Sequence, residues 1–196
     1  MPGRLSRDFR QDLEEMIGKG PKSFERLYSI AKDGCDPDIF HRKCDNKGPT
    51  VTVMFNPKGS IYGFYSSLRW QNSGGGVKDQ EHFVFQLQSL NERRFTKCLT
   101  KGANPEITYE PGYGPWSLAI GTFHGKTNVA ENGVYRLNGN WPTFNADNYD
   151  LQGLTAAAVN NGSMEVNDLE VYCVFGNYTL YMLGFITKLM ISNTTV

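Results

Sequence analysis

The alternation of apolar and polar positions divides the chain into a helical front and a strand-rich remainder. Phe9, Leu13, Met16 and Ile17 recur on one face of a 3.6-residue period, with Ser6 placed to cap the helix and Gly18, Gly20 and Pro21 to end it. Phe24, Leu27, Tyr28 and Ala31 keep that spacing and predict a second short helix, closed by Asp33 and Gly34. A third starts at Asp36 and Pro37, the Asp as N-cap and the Pro at the first helical position, where its missing N–H costs nothing. It turns Phe40 and Cys44 toward the core. After Asn46, Lys47, Gly48 and Pro49 the period falls to two. From Thr50 to Phe55, Val51, Val53 and Phe55 fall on one side, the pattern of a half-buried strand. Turn residues Asn56, Pro57, Lys58 and Gly59 then lead into a strand from Ile61 to Tyr65, and the pair predicts a hairpin. Residues 71–77, with three consecutive glycines at 74, 75 and 76, predict a flexible loop.

Phe83, Phe85 and Leu87 mark a further strand. Shorter ones run through Trp116, Leu118 and Ile120 and from Val134 to Leu137; Ala156 to Val159 predicts a helical turn. Leu169, Val171, Cys173 and Phe175 share one face of the last strand. Helices at the front and strands without helical crossovers favour an α+β or mainly-β antiparallel sandwich over a doubly wound parallel sheet. Residues 1–22 form an N-terminal helix, 23–175 the domain and 176–196 an apolar C-terminal extension. Leu180 to Ile186 is almost continuously apolar, but with Thr187 and Lys188 interrupting it falls short of the ~20 residues that cross a bilayer. The extension reads either as a last core element or as an exposed patch that meets a partner. In the second reading Tyr178, Leu180, Leu183 and Phe185 are the partner-binding candidates.

Charge narrows the function classes. Among 196 residues, 20 Lys and Arg balance 20 Asp and Glu, which argues against an electrostatic nucleic-acid binder. The pair Arg93 and Arg94 is too short a cluster to change that. No apolar leader follows Met1, so a reducing, cytoplasmic setting with the cysteines as thiols is expected, and the sequons at Asn161, Asn177 and Asn193 read as coincidence.

Candidate chemistry is sparse. Gly121, Gly125, Lys126 and Thr127 imitate a phosphate-binding loop, but the glycines stand too close together and no helical period follows to supply a dipole. Cys35, His41 and Cys44 are weak metal candidates, with Cys98 and Cys173 as distant further ligands; zinc prefers paired short spacings. The same thiols serve equally as buried core or, beside Arg42 and Lys43, as redox-sensitive groups. No nucleophile elbow occurs, and Asp33, Asp36 and Asp38 sit in turn and cap contexts. No catalytic residue or cofactor is expected, and the chain reads as a non-enzyme.

Ser23, Phe24, Leu27, Tyr28 and Ser29, then Asp33 and Gly34, then Phe40, His41 and the block Cys44 to Val53, together resemble the opening of a TLDc domain. Ile61 to Tyr65 followed by Trp70, Asp79 with Phe83 to Leu87, and Leu169 to Tyr172 are similar to later family motifs, so the resemblance spans residues 23–175. The block from Cys44 to Thr50, and a tyrosine where the family often closes with Trp, are similar to the amino-terminal region of interferon-induced protein 44 relatives. The resemblance implies a two-sheet antiparallel β-sandwich flanked by short helices. It also implies a protein-interaction role in oxidative-stress protection, with vacuolar proton-pump subunits as partners, or in innate immune responses, where a GTP-binding domain usually follows. It carries over no catalytic residue. A redox or metal-dependent activity on Cys35, His41 and Cys44 is the alternative from another class.

Overall fold

A seven-stranded antiparallel sheet organises the molecule, in the spatial order β1 (Lys22–Ser29), β12 (Asp168–Gly176), β2 (Thr50–Phe55), β3 (Ile61–Ser66), β5 (Phe83–Ser89), β6 (Glu92–Thr100) and β10 (Tyr149–Asp150). The structure, a computed structural model, describes residues 3–101, 106–117, 120–126, 132–138 and 148–176. The extension from residue 177 onward, with Tyr178, Leu180, Leu183 and Phe185, lies outside the described residues.

Each face of the sheet is covered by its own layer. Helix α1 (Arg7–Ile17) puts Leu13 and Met16 against Val51, Val53, Phe55, Phe83, Phe85 and Leu87. On the other face lie α2 (Ile30–Asp33), α3 (Pro37–Cys44), α4 (Ala156–Asn160) and a three-stranded sheet of β4 (Gly76–Lys78), β7 (Glu106–Thr108) and β8 (Trp116–Ser117). A two-stranded sheet pairs β9 (Tyr135–Arg136) with β11 (Glu165–Val166). The second core joins Phe40, Cys44, Met54, Phe64, Trp70, Tyr109 and Phe123. Trp70 stands edge-on to Phe40, Phe64 and Tyr109, and its indole N–H donates to Thr50 Oγ1 at 2.9 Å. The fold is thus mainly β, with short helices against the main sheet.

Burial on both faces corrects the half-buried reading of β2, all six residues of which are buried. The helix expected around Phe24, Leu27 and Tyr28 is instead β1, with only residues 30–33 helical. A bulge explains the misleading spacing: Arg26 pairs with Tyr172 and Tyr28 with Val171, leaving Leu27 as the extra residue. Phe24 therefore faces one core and Tyr28 the other, and a strand's apolar residues acquire helical intervals. The strand through Trp116, Leu118 and Ile120 shortens to Trp116–Ser117, because Ser117 and Ile120 exchange backbone hydrogen bonds at 3.1 Å; Leu118 lies outside the described residues. Val77, expected in a loop, belongs to β4.

The N-terminal segment is fixed to β12. Glu170, fully buried, accepts from Arg26 at 2.5 Å, from the Tyr172 hydroxyl at 2.5 Å and from the Arg4 backbone N–H at 2.9 Å, while Leu5 N–H donates to that hydroxyl. A buried carboxylate needs such partners to offset its lost hydration.

Candidate interaction surface

The cysteine–histidine group is part of the fold's interior. Asp36 caps α3, accepting from Asp38 N–H at 2.9 Å, and Pro37 opens the helix. Phe40, His41 and Cys44 are thereby turned inward. His41 has both ring nitrogens engaged, Nδ1 with Asp45 at 2.8 Å and Nε2 with the Glu110 carbonyl at 3.2 Å. All four cysteines are buried as free thiols. Burial pushes the Cys44 and Cys173 thiols up and Cys98 to about 11, away from the reactive thiolate. Among the described residues no three His, Cys, Asp or Glu side chains converge as a metal site.

The glycine-rich decoy is likewise structural. The Trp116 ring fills the space a side chain at Gly121 would need, Phe123 is buried, and His124 exchanges two backbone hydrogen bonds with the Asn138 side chain. Lys126 reaches the α3 carboxylates, Asp36 at 3.1 Å and Asp38 at 3.2 Å. Thr127 lies outside the described residues.

A buried polar knot, unforeseen in the sequence, holds the chain between β3 and β5. Asp79 accepts from Ser66 Oγ, Ser67 N–H, Ser67 Oγ and Glu81 N–H at 2.5–3.1 Å. His82 donates Nδ1–H to the Tyr65 carbonyl at 2.6 Å. Enclosure lowers its pKa to about 4, partly countered by Asp79 and the Tyr65 hydrogen bond.

Three exposed apolar side chains lie on β6 and on its connection to β5. Leu90, Phe95 and Leu99 are 65%, 50% and 51% exposed. Leu99 stands opposite Phe83 and Lys97 opposite Phe85, so Phe95, Lys97 and Leu99 share the sheet face that α1 covers further in. Here the cover runs out. Lys97 Nζ donates to the Met16 carbonyl at the end of α1 and lies 4.5 Å from the Phe83 ring centre, whereas Phe95 and Leu99 stay half open. Arg93 is tied to Asp12 at 2.6 Å and Arg94 to Glu92 at 2.7 Å. The tip is held in place: Leu90 and Asn91 both have left-handed backbone (φ 49° and 68°), and Asn91 N–H donates to the Gly59 carbonyl at 2.9 Å. Sequence reasoning passed over this strand because its apolar residues are separated by arginines and a lysine; the exposed Phe95 between charges was the available signal.

Two surface clefts complete the geometry. One of about 380 Å³ lies between Arg10, residues 24–27, Lys32, Asp33 and Lys43. The other, of about 390 Å³, lies between Ile17, Lys22, Tyr65, Glu81 and Val174. Mixed charges line both. Among the described residues no helix is long and apolar enough to cross a membrane.

The architecture defines a mainly-β domain with its cysteines buried, His41 held in structural hydrogen bonds and apolar side chains displayed near one edge of its main sheet. The TLDc domain family model matches residues 5–175, nearly the whole described chain, and the protein belongs to that family. Comparison with curated proteins returned no match. The family is one of protein-interaction domains, generally linked to protection against oxidative stress.

Proposed function

We propose that this chain is a non-catalytic interaction domain that serves oxidative-stress protection by holding a protein partner on β6, near one edge of its main sheet. The observation that carries the reading is the half-open pair Phe95 and Leu99 on a strand fixed to α1 through Arg93 and Lys97. Apolar side chains held on a rigid element are ready to be covered without ordering a loop first. The partner class the family resemblance suggests is the peripheral subunits of the vacuolar proton pump. The inward-turned His41 and the buried Cys35 and Cys44 favour this role over redox or metal chemistry. The Cys44 to Thr50 block and Tyr172 favour, as a second reading, the same role within an interferon-type cytoplasmic response.

The test is capture from native cell lysate with the tagged full chain and two variants. One carries Phe95→Asp and Leu99→Asp; the other carries Leu183→Asn and Phe185→Asn. Retention of a pump subunit by the wild type and the second variant, with loss of roughly tenfold or more in the first, is expected; exposed positions of this kind leave folding stability nearly unchanged. Loss only with Leu183→Asn and Phe185→Asn would move the contact to residues 176–196. No retained partner from folded protein would overturn the reading.

A further inference from the structure

We infer that the outer edge of β6 is a docking slot for an extended, acidic segment of another protein, which adds to the main sheet as a strand. The inference rests on the interaction reading above and names its mode and its ligand chemistry. Strand β10 covers β6 only at Leu99 and Thr100, opposite Asp150 and Tyr149. The chain then turns away through Gln152 and Gly153, both at positive φ (53° and 83°). From Glu92 to Cys98 the outer side of β6 therefore faces no strand among the described residues, and the vacated line continues that of β10. A strand edge of this length presents backbone donors and acceptors to an incoming chain. A bulge sets Leu87 opposite both Arg94 and Phe95, so the regular part of the slot runs from Phe95 to Leu99, with those two side chains as apolar seats.

Charge selects the occupant. Residues 92–101 contain Glu92 against Arg93, Arg94, Lys97 and Lys101. Lys97 is bonded to a carbonyl and an aromatic ring, and among the described residues to no carboxylate. A second copy pairing antiparallel about Phe95 would set Arg93 opposite the other copy's Lys97, and like charges directly opposite are unfavourable. The chain's own residues 177–196 contain no Asp or Glu and one Lys, so they lack complementary charge as well. A segment that sets Val, Ile or Phe opposite Leu99 and Phe95, Asp or Glu between them opposite Lys97, and a further acidic residue on the other face opposite Arg94 satisfies both sets of contacts.

The experiment uses the full chain and a fluorescein-labelled peptide built on Val-Thr-Glu-Thr-Val-Glu, the antiparallel complement of Leu99 to Arg94, with the same peptide carrying Lys for Glu as its charge-reversed counterpart. Anisotropy is expected to give at least about tenfold tighter binding of the acidic peptide, weakening as salt is raised. The variant with Arg94→Glu and Lys97→Glu is expected to invert the preference, and amide exchange to slow in the wild type at the alternate residues between Phe95 and Leu99 whose N–H groups point away from β5. Matching thermal melts confirm that each variant is folded. Equal binding of both peptides, slowed exchange elsewhere, or a dimer that dissociates with Phe95→Ser would overturn the inference. Should pump subunits bind this charge-reversed variant as well as they bind the wild type, the acidic slot falls while the interaction reading stands.

Discussion

The enclosed imidazole of His82 couples the fold to pH. Its Nδ1–H is given to the Tyr65 carbonyl; its Nε2 and the Tyr109 hydroxyl have no hydrogen-bond partner among the described residues. The ring lies against Phe64 and Tyr149, with Asp79 nearby on the same connection. With a folded pKa of about 4 against 6.5 when unfolded, the unfolded chain binds a proton that the folded chain refuses between those values. The contribution of His82 is therefore complete above pH 6.5 and is lost as pH falls toward 4, on the order of 2–3 kcal/mol. Urea unfolding at pH 7 and pH 4.5 checks this. His82→Asn keeps an N–H for Tyr65 without titrating, and its stability is expected to fall less between the two pH values than that of the wild type. Equal falls would show that carboxylates alone set the acid sensitivity.

At the scale of elements, Gly63 limits how β2 and β3 can pair. It stands opposite Val53, and a Cβ there would overlap the Thr52 carbonyl oxygen and crowd the Phe85 ring. Gly63→Ala is expected to cost about 3 kcal/mol or more, because two strands must separate to admit one methyl group. Gly74→Ala, where a Cβ meets nothing but φ is 76°, is expected to cost about 1 kcal/mol. Denaturant midpoints that ranked the two alike would contradict this account of the hairpin. The same elements show what the sequence could disclose. Helix α1 was legible because one side faces solvent and the other Val51 and Phe85, so periodicity and caps agree. Strand β1 was not, since its bulge gives Phe24, Leu27 and Tyr28 the intervals of a helix. Strand β6 was missed for a different reason: at the margin of the sheet its exposure lets Arg93, Arg94 and Lys97 stand among few apolar residues. The interaction surface was hidden with it, because alternation reports burial and a docking strand is left partly unburied.

For the whole molecule, the two faces of the sheet do different work. One is closed by helices and two small sheets, with the cysteines and Trp70 sealed inside; the other is closed by α1 as far as Met16 and then left open toward Phe95 and Leu99. Of the candidates read from the sequence, Cys35 and Cys44 became core, His41 a bridge to the Glu110 carbonyl, and Lys126 a partner of the α3 carboxylates. The domain keeps a rigid interior and offers the partly covered strand β6 to the outside. Hydrogen–deuterium exchange of the full chain, alone and with the subunit it retains from lysate, tests that arrangement most directly. Added protection over residues 92–99, with Cys35 to Cys44 unchanged, is the predicted result. Protection confined to any other segment, or none on binding, would contradict an interaction domain that works through β6.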